Sequence, residues 1–428
     1  MNLKNNLKAF KNFRQQYGLE AAIGLALAKT RQKLAAYLKR RPQISDPDSN
    51  LTNFQHPWDK QTTKEKIAFL QDANKFTKII YVYPVKDYSS IRYRLYNPIQ
   101  VINRSDKYRA TFFYESELAQ AAHLLNQVNL VIFVRVKWNS TIEQFYRKTK
   151  NLKIKTACDL DDLVYDLDYL PKLLKEISVP EVEYDRWYSE SAGYYTMARM
   201  ADYLISPHEF LAGKLRQKFP SKKVLIMPNF LGEEQVEISQ QLNNQTKKSP
   251  GFRIGYFSGT QTHDHDLALI ADELVKIITK NDQVKLRLVG KFVLPKKFLK
   301  FKDQLEIFGL QNFLELQKKI WECDLCLIPL VISDFTNSKS EAKFFDAGIV
   351  KVPVIASPTF IYRQVITEGK NGFLANKEEW SGKLQKLINQ PKLAKEIGEN
   401  AYEYCLNNYT GSKVAQILDN LFQNILQD

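Results

Sequence analysis

Residues 252–260 read FRIGYFSGT, an apolar run rich in aromatic and β-branched side chains that stops at Ser-Gly-Thr. A buried strand running into a glycine turn, with helical periodicity over 266–280 behind it, opens a strand-loop-helix unit. The unit repeats downstream: VKLRLVG (284–290), QLEIFGL (304–310), DLCLIPL (324–330) and VPVIAS (352–357) read as strands separated by helical stretches. Strands that are apolar throughout, rather than alternating, are covered on both faces, which specifies a parallel sheet between helices.

The same rhythm fills the preceding half. TKIIYVYPV (77–85), NLVIFVRV (129–136), KIKTACDLDDLVYD (153–166), DYLISP (202–207) and KVLIMPN (223–229) are strands or strand ends, with helices expected around 115–127, 139–150, up to Met200, and 208–219. The polar stretch 231–251 carries a Pro-Gly pair and reads as a connection between units. From Trp380 onward the chain reads as helical. The expected fold class is α/β: Rossmann-like domains at 65–235 and 252–395, a linker at 236–251 and a helical tail at 396–428.

Bulk properties agree. A chain of 428 residues exceeds a single ordinary core. The net charge of +15 favours anionic partners. No helix-turn-helix, zinc-finger or RNP-like pattern is present, so nucleic acid is not an expected partner. Cys323 and Cys326 have C-x-x-C spacing, but they lie where a buried strand begins and no second pair completes a zinc site. The His263-Asp264-His265-Asp266 run points alternate side chains to opposite faces if extended, so no metal is expected.

Residues 1–64 read as a helical extension and linker. Leu3, Leu7, Phe10, Phe13 and Tyr17 recur at helical steps with Lys4, Lys8, Lys11 and Arg14 between them. Residues 1–50 hold ten basic against three acidic side chains. A basic face opposite an aromatic face suits an anionic bilayer; packing on the catalytic body is the plainer alternative. The apolar stretch Ala21 to Ala28 is too short to span a membrane, and Glu20 before it makes a poor signal peptide. A cytoplasmic protein, peripheral on the inner membrane face, is expected.

In open parallel sheets, ligands bind at the carboxyl ends of strands. The segment 334–357, DFTNSKSEAKFFDAGIVKVPVIAS, is the most informative of these places. Ser338 and Glu341 have capping-box spacing, which would put Lys339 in a helix's first turn, Lys343 and Asp346 further along it, and Gly348 at its C-cap. Two lysines near a helix start suit a diphosphate, and a carboxylate beyond them can accept ribose or sugar hydroxyls. Ordinary solvated lysines are the alternative.

This segment resembles the signature of the family 4 glycosyltransferases of the GT-B fold, in which two Rossmann-like domains face each other across a cleft. Asp346-Ala347 stands at the family's Glu-Ala position, with Gly348 and Pro353-Val354-Ile355-Ala356-Ser357 following; Ser338 replaces the family's preceding Glu. Asn337-Ser338-Lys339-Ser340 with Lys343 is similar to a bacterial cell-surface polysaccharide subgroup that includes rhamnan-type enzymes. The 368–375 stretch EGKNGFLA also resembles a family loop. The resemblance covers about residues 76–428.

It implies a donor site of Ser258, Gly259, Thr260, His263, Lys291, Asn337, Lys339, Ser340, Lys343 and Asp346. It implies that Asp161 or Asp162 of DLDD (159–162) orients an acceptor hydroxyl or takes its proton; a D-x-D metal motif and simple helix capping are the alternatives. Asp346 joins them as a catalytic candidate. Arg92, Arg94 and Arg135, beside strand ends, are candidate ligands of an anionic acceptor. The implied reaction moves a sugar from a UDP-, dTDP- or GDP-sugar to a hydroxyl of a growing, lipid-linked cell-surface glycan, without a resident cofactor. A sugar-nucleotide epimerase or hydrolase and a non-catalytic glycan-binding subunit remain as alternatives.

Overall fold

The computed structural model describes residues 60–86, 91–246, 251–259 and 264–428. The basic 1–59 flank, Thr260 and His263 lie outside the described residues. Two six-stranded sheets, parallel throughout, account for the two halves. In the first, β1 (Thr77–Tyr83), β2 (Tyr108–Tyr114), β3 (Leu130–Val134), β4 (Lys155–Asp159), β5 (Tyr203–Ser206) and β6 (Lys223–Ile226) run in the order β2-β1-β3-β4-β5-β6. The second holds β7 (Phe252–Ser258), β8 (Val284–Gly290), β9 (Leu305–Phe308), β10 (Leu325–Ile328), β11 (Val354–Ala356) and β12 (Phe373–Leu374), ordered β12-β11-β10-β7-β8-β9.

Both orders reverse direction beside their first strand, between β1 and β3 and between β7 and β10. Such a switch point parts the crossover connections and leaves a crevice at the strand carboxyl ends. Arg135 follows β3 at one crevice, and Ser258 with Gly259 ends β7 at the other.

Burial explains why the strands read as unbroken apolar runs. Within β1, Ile79, Tyr81 and Tyr83 face one cluster while Ile80 and Val82 face another. The period of two persists, but both faces are covered. The first of these clusters is shared between the domains. It runs from Ile79 and Phe112, through Met227, Phe230 and Leu242, to Phe344, Val354 and Phe422.

Two features differ from the sequence expectation. The connection is not a polar loop: it contains the Glu233–Asn243 helix, whose Gln235, Ser239 and Leu242 are buried. The carboxyl-terminal helices, Pro391–Tyr409 and Gly411–Leu426, do not trail away. The second returns to the first domain, where Phe422 meets Tyr108 at 5.1 Å between ring centres and Asp419 bridges Lys107 at 2.9 Å. Gly348 is no C-cap either. A Cβ there would stand 2.6 Å from Cys405 Sγ, so the glycine permits close contact with the Pro391–Tyr409 helix.

Phe422 is fully buried between tail and first domain. Phe422→Ala is expected to lower unfolding free energy by roughly 3 kcal/mol. Urea denaturation is the check, and a loss under about 1 kcal/mol would make the tail an appendage rather than part of the core.

Candidate functional site

The strand carboxyl ends of both sheets meet in one interdomain cleft. On the first-domain side, Arg135 adopts a left-handed backbone (φ 50°) directly after β3. A non-glycine residue there is uncommon, and such geometry often marks a working site. Its Nη1 donates to Asp161 Oδ1 at 2.7 Å, and its amide donates to the Asp159 carbonyl at 3.0 Å. Asp162, one residue on, accepts from Lys339 Nζ of the second domain at 2.6 Å. Asp161 and Asp162 thus each hold a cation from a different element, an arrangement poorly suited to a shared metal ion.

Arg94 is not an acceptor ligand. Its side chain is fully buried, with Nε and Nη2 on Asp159 (3.1 and 2.6 Å) and Nη1 on the Met227 carbonyl and Asn229 Oδ1 (2.5 and 3.0 Å). Every donor faces protein because a buried guanidinium left unpaired is far more costly than one fully hydrogen-bonded. Arg92 is mostly enclosed too, stacked 4.6 Å from the Tyr93 ring and 4.8 Å from the Phe313 ring of the second domain. Both belong to a π-helical turn, Arg92–Tyr96. From this turn Tyr93 reaches Asp346 in the second domain and Arg94 reaches Asp159 at the end of β4.

The 334–357 segment folds differently from its expectation. It forms two short helices, Asp334–Asn337 and Ala342–Gly348, with a turn between them. Ser333, not Ser338, makes the capping box: its Oγ accepts from the Thr336 amide and Thr336 Oγ1 accepts from the Ser333 amide. Ser338 closes this first helix instead, donating to the Asp334 carbonyl at 2.8 Å. Glu341 precedes the second helix without capping it, and is buried accepting from Tyr409 Oη at 3.0 Å. Burial pushes its carboxyl up to about 7.

This break sorts the expected donor residues. Asn337 is engaged by the fold, accepting from the Phe360 amide at 2.8 Å. Ser340 Oγ accepts from Asn229 Nδ2 at 2.9 Å, a contact between domains. Lys339 lies in the turn rather than in a helix's first turn, and is held by Asp162. Lys343 has no hydrogen bond or ion pair with any described residue; its ammonium lies 6.0 Å from the centre of the Tyr256 ring in β7. Burial depresses its acidity constant to about 8, with Asp266 pulling it up and Lys339 pushing it further down.

Asp346 is also buried, and its carboxylate already accepts from Tyr93 Oη (2.7 Å) and Gln235 Nε2 (2.6 Å), with Arg92 Nη2 at 3.8 Å. Burial raises its carboxyl above the usual range, and Arg92 opposes that rise. In this state Asp346 joins the first domain and the connecting helix to the second. Ser258 and Gly259 end β7, where Gly259 has open space around its Cα. Lys291, exposed, donates its amide to the Ser258 carbonyl at 2.9 Å. That crossing requires Gly290, whose φ is 101° and whose Cβ would fall 1.9 Å from the same carbonyl.

Three cleft residues were not singled out by sequence. His208 follows β5 and caps the Glu209–Lys218 helix through Nδ1, which assigns the proton to Nε2, 3.1 Å from the Ser338 carbonyl. Burial lowers its basicity, keeping the ring neutral. A His at a strand-to-helix junction was the available signal. Asn229 sits between β6 and the next helix, whereas nothing local distinguished Tyr93.

Residues 251–390 match the family model described as glycosyl transferases group 1. A comparison with curated protein sequences found no significant match. Among solved structures, Anabaena Alr3699/HepE in complex with UDP and glucose is 13% identical, with a TM-score of 0.54 over 81% of this chain and 99% of that one. Sucrose-phosphate synthase of Thermosynechococcus elongatus is 12% identical, with a TM-score of 0.56 over 82% and 99%. The pneumococcal O-GlcNAc transferase GtfA in complex with UDP and GlcNAc is 14% identical, with a TM-score of 0.51 over 74% and 61%. At such identities the likeness establishes the fold, and the second domain carries the family. Residues 251–390 thus carry the group 1 glycosyltransferase family model, within a chain that has the two-domain fold of these solved structures.

Proposed function

We propose that the cleft moves a sugar from a nucleoside diphosphate, held by the second domain, to a hydroxyl of a growing, lipid-linked cell-surface glycan on the first. UDP is the first donor to try, since HepE and GtfA were solved with it bound. The observation that carries the donor assignment is Lys343, an enclosed ammonium beside β7 with no carboxylate hydrogen-bonded to it among the described residues. Half-buried and without such a partner, it gains from an arriving diphosphate. Lys291, at the end of β8, adds a second cation, and Lys339 a third if phosphate displaces Asp162. The Ala342–Gly348 helix is short, so side chains rather than a long helix dipole carry this charge.

Departure of the diphosphate leaves positive character on the sugar, and positioned cations lower that barrier without a protein nucleophile. Asp161, fixed by Arg135 on the facing wall, is the group for orienting the acceptor hydroxyl and taking its proton. Attachment of residues 1–41 to an anionic bilayer would bring a lipid-linked acceptor to the enzyme, as expected of the cell-surface polysaccharide subgroup.

Lys343→Ala is expected to weaken UDP binding at least tenfold by calorimetry, about 1.4 kcal/mol. Because the free ammonium loses its proton near pH 8, wild-type affinity is expected to decline as pH rises through 8, and Lys343→Arg to abolish that decline. Equal affinity in wild type and Lys343→Ala would remove the donor assignment.

Asp161→Asn should lower transfer roughly hundredfold with UDP affinity nearly intact. Asp162→Asn acts in the other direction on binding: freeing Lys339 is expected to tighten UDP. Donor consumed at the wild-type rate without acceptor would favour the epimerase or hydrolase reading.

Deletion of residues 1–41 is expected to end binding to phosphatidylglycerol vesicles at low salt, while activity on a soluble acceptor analogue persists. A truncated protein that unfolds, or a full-length protein that ignores such vesicles, would make the flank a packing element.

A further inference from the structure

A second basic concavity lies at the opposite pole of the first domain, where strands begin rather than end. Lys155 opens β4, Lys223 opens β6, Lys222 precedes it, and Lys150 and Lys153 come from the end of the Ser140–Asn151 helix and the turn after it. These five ammonium groups line a cavity of about 480 Å³ together with Asp202, Tyr203 and Ser221. The cleft residues, by contrast, follow the carboxyl ends of the same strands.

Two carboxylates answer the five cations. Asp202 pairs with Lys150 at 2.8 Å and also accepts from the amide and hydroxyl of Thr156; Asp428 pairs with Lys223 at 2.8 Å. Lys222 points its ammonium at the Ala201 carbonyl, 2.7 Å away, and burial makes it easier to deprotonate, with Lys150 adding repulsion and Asp202 opposing both. Lys153 and Lys155 form no direct ion pair with a described carboxylate; Asp428 feels the charge of Lys155, whose ammonium lies 6.0 Å from the Tyr203 ring. Lys153 also adopts a left-handed backbone (φ 56°), a conformation that is unfavourable for a long side chain.

Like charges gathered in a concavity repel one another, and low-dielectric walls focus their field outward. On a convex surface the same lysines would separate and cost little. Here they converge from separate segments, so the unliganded state carries an excess of positive potential that an anion would relieve. The Ser221 hydroxyl adds a donor at the rim, while that of Tyr203 donates to Asp428 at 3.3 Å. The space takes a diphosphate with water left over, at about 30 Å³ per water.

We propose that this lysine-lined cavity is a binding site for a phosphate-bearing anion, distinct from the donor site in the cleft. The anion's source is either a soluble di- or polyphosphate or the phosphate of an anionic lipid headgroup, and the two are separable by experiment.

The test uses the full chain and inorganic pyrophosphate, titrated calorimetrically with UDP present to fill the cleft. The Lys153→Ala/Lys155→Ala double variant is expected to bind pyrophosphate at least tenfold more weakly. Lys339→Ala/Lys343→Ala, altered in the cleft, and Lys392→Ala/Lys395→Ala, a charge-matched change at exposed positions of the Pro391–Tyr409 helix, are expected to bind it as wild type does. The proposal is overturned if the first variant keeps wild-type affinity, or if the Lys392/Lys395 control weakens equally, since bulk charge would then explain the effect. Loss of pyrophosphate binding only in the cleft variant would overturn it as well, and would leave the donor assignment standing. Vesicles of phosphatidylcholine with phosphatidylglycerol identify the source. Weaker vesicle retention of the Lys153/Lys155 variant assigns the site to lipid headgroups, and unchanged retention with lost pyrophosphate binding assigns it to a soluble anion.

Discussion

The buried guanidinium of Arg94 constrains more of this molecule than any other single group. A charge removed from water must have its donors met, and removing one partner of such a pair costs about 3–5 kcal/mol. Arg94 engages four of its five N–H donors by drawing together the end of β4 (Asp159), the segment after β6 (Met227 and Asn229) and its own π-helical turn. Asn229, held by Arg94 through its Oδ1, has only its amide nitrogen left to offer, and this reaches Ser340 in the other domain. Tyr93, one residue from Arg94, reaches Asp346. The geometry on which the two domains meet is thereby referred back to one buried cation.

From that fixed base, the cleft is charged in a specific way. Its first-domain wall presents Asp161 and Asp162, each occupied by a cation, and its second-domain wall presents Lys343 without a paired one. A diphosphate entering such a cleft does not meet an unscreened basic pocket. On the proposed donor assignment it would compete with Asp162 for Lys339 and meet no paired carboxylate at Lys343. Discrimination follows from that competition: a singly charged anion gains little over the carboxylate it displaces, whereas a diphosphate spans both ammonium groups.

The sequence made the architecture legible because parallel strands buried on both faces must be apolar throughout, and twelve of them with helices between leave few alternatives. The positions of Asp161, Ser258 and Lys291 at strand ends, and of Lys343 near a helix start, followed from the same alternation. The failures have one cause, which is that local spacing is blind to what a side chain meets across the fold. Ser338 and Glu341 have the spacing of a capping box, yet Ser333 and Thr336 form it, while the intervening Phe335 turns inward and Glu341 is drawn to Tyr409 in the tail. Arg94 looked like a surface ligand because arginines are rarely interior. Its partners lie 65 and more residues away in sequence. Asp346 lies where the family resemblance places it, but its partners Tyr93 and Gln235 come from the other domain and the connecting helix, which no local pattern reveals.

Cleft motion is bounded by two unequal sets of contacts. One apolar cluster is continuous from the first sheet through the connecting helix to the tail, and opening it would expose large side chains such as Phe230, Phe344 and Phe422. Each fully buried side chain of that kind is worth roughly 1.5–3 kcal/mol, so this side acts as the hinge. The opposite side is held by polar contacts: Lys339 to Asp162, Asn229 to Ser340, and His208 to the Ser338 carbonyl. Hydrogen bonds of this type contribute about 1 kcal/mol each, because water replaces them when they part. On these magnitudes, parting the polar rim costs less than opening the apolar cluster. Three of those rim groups, Lys339, Ser340 and the Ser338 carbonyl, belong to the turn that adjoins Lys343, so the contacts that close the cleft and the groups proposed to hold the donor are physically the same segment. Donor binding and domain closure are accordingly linked without any intermediary.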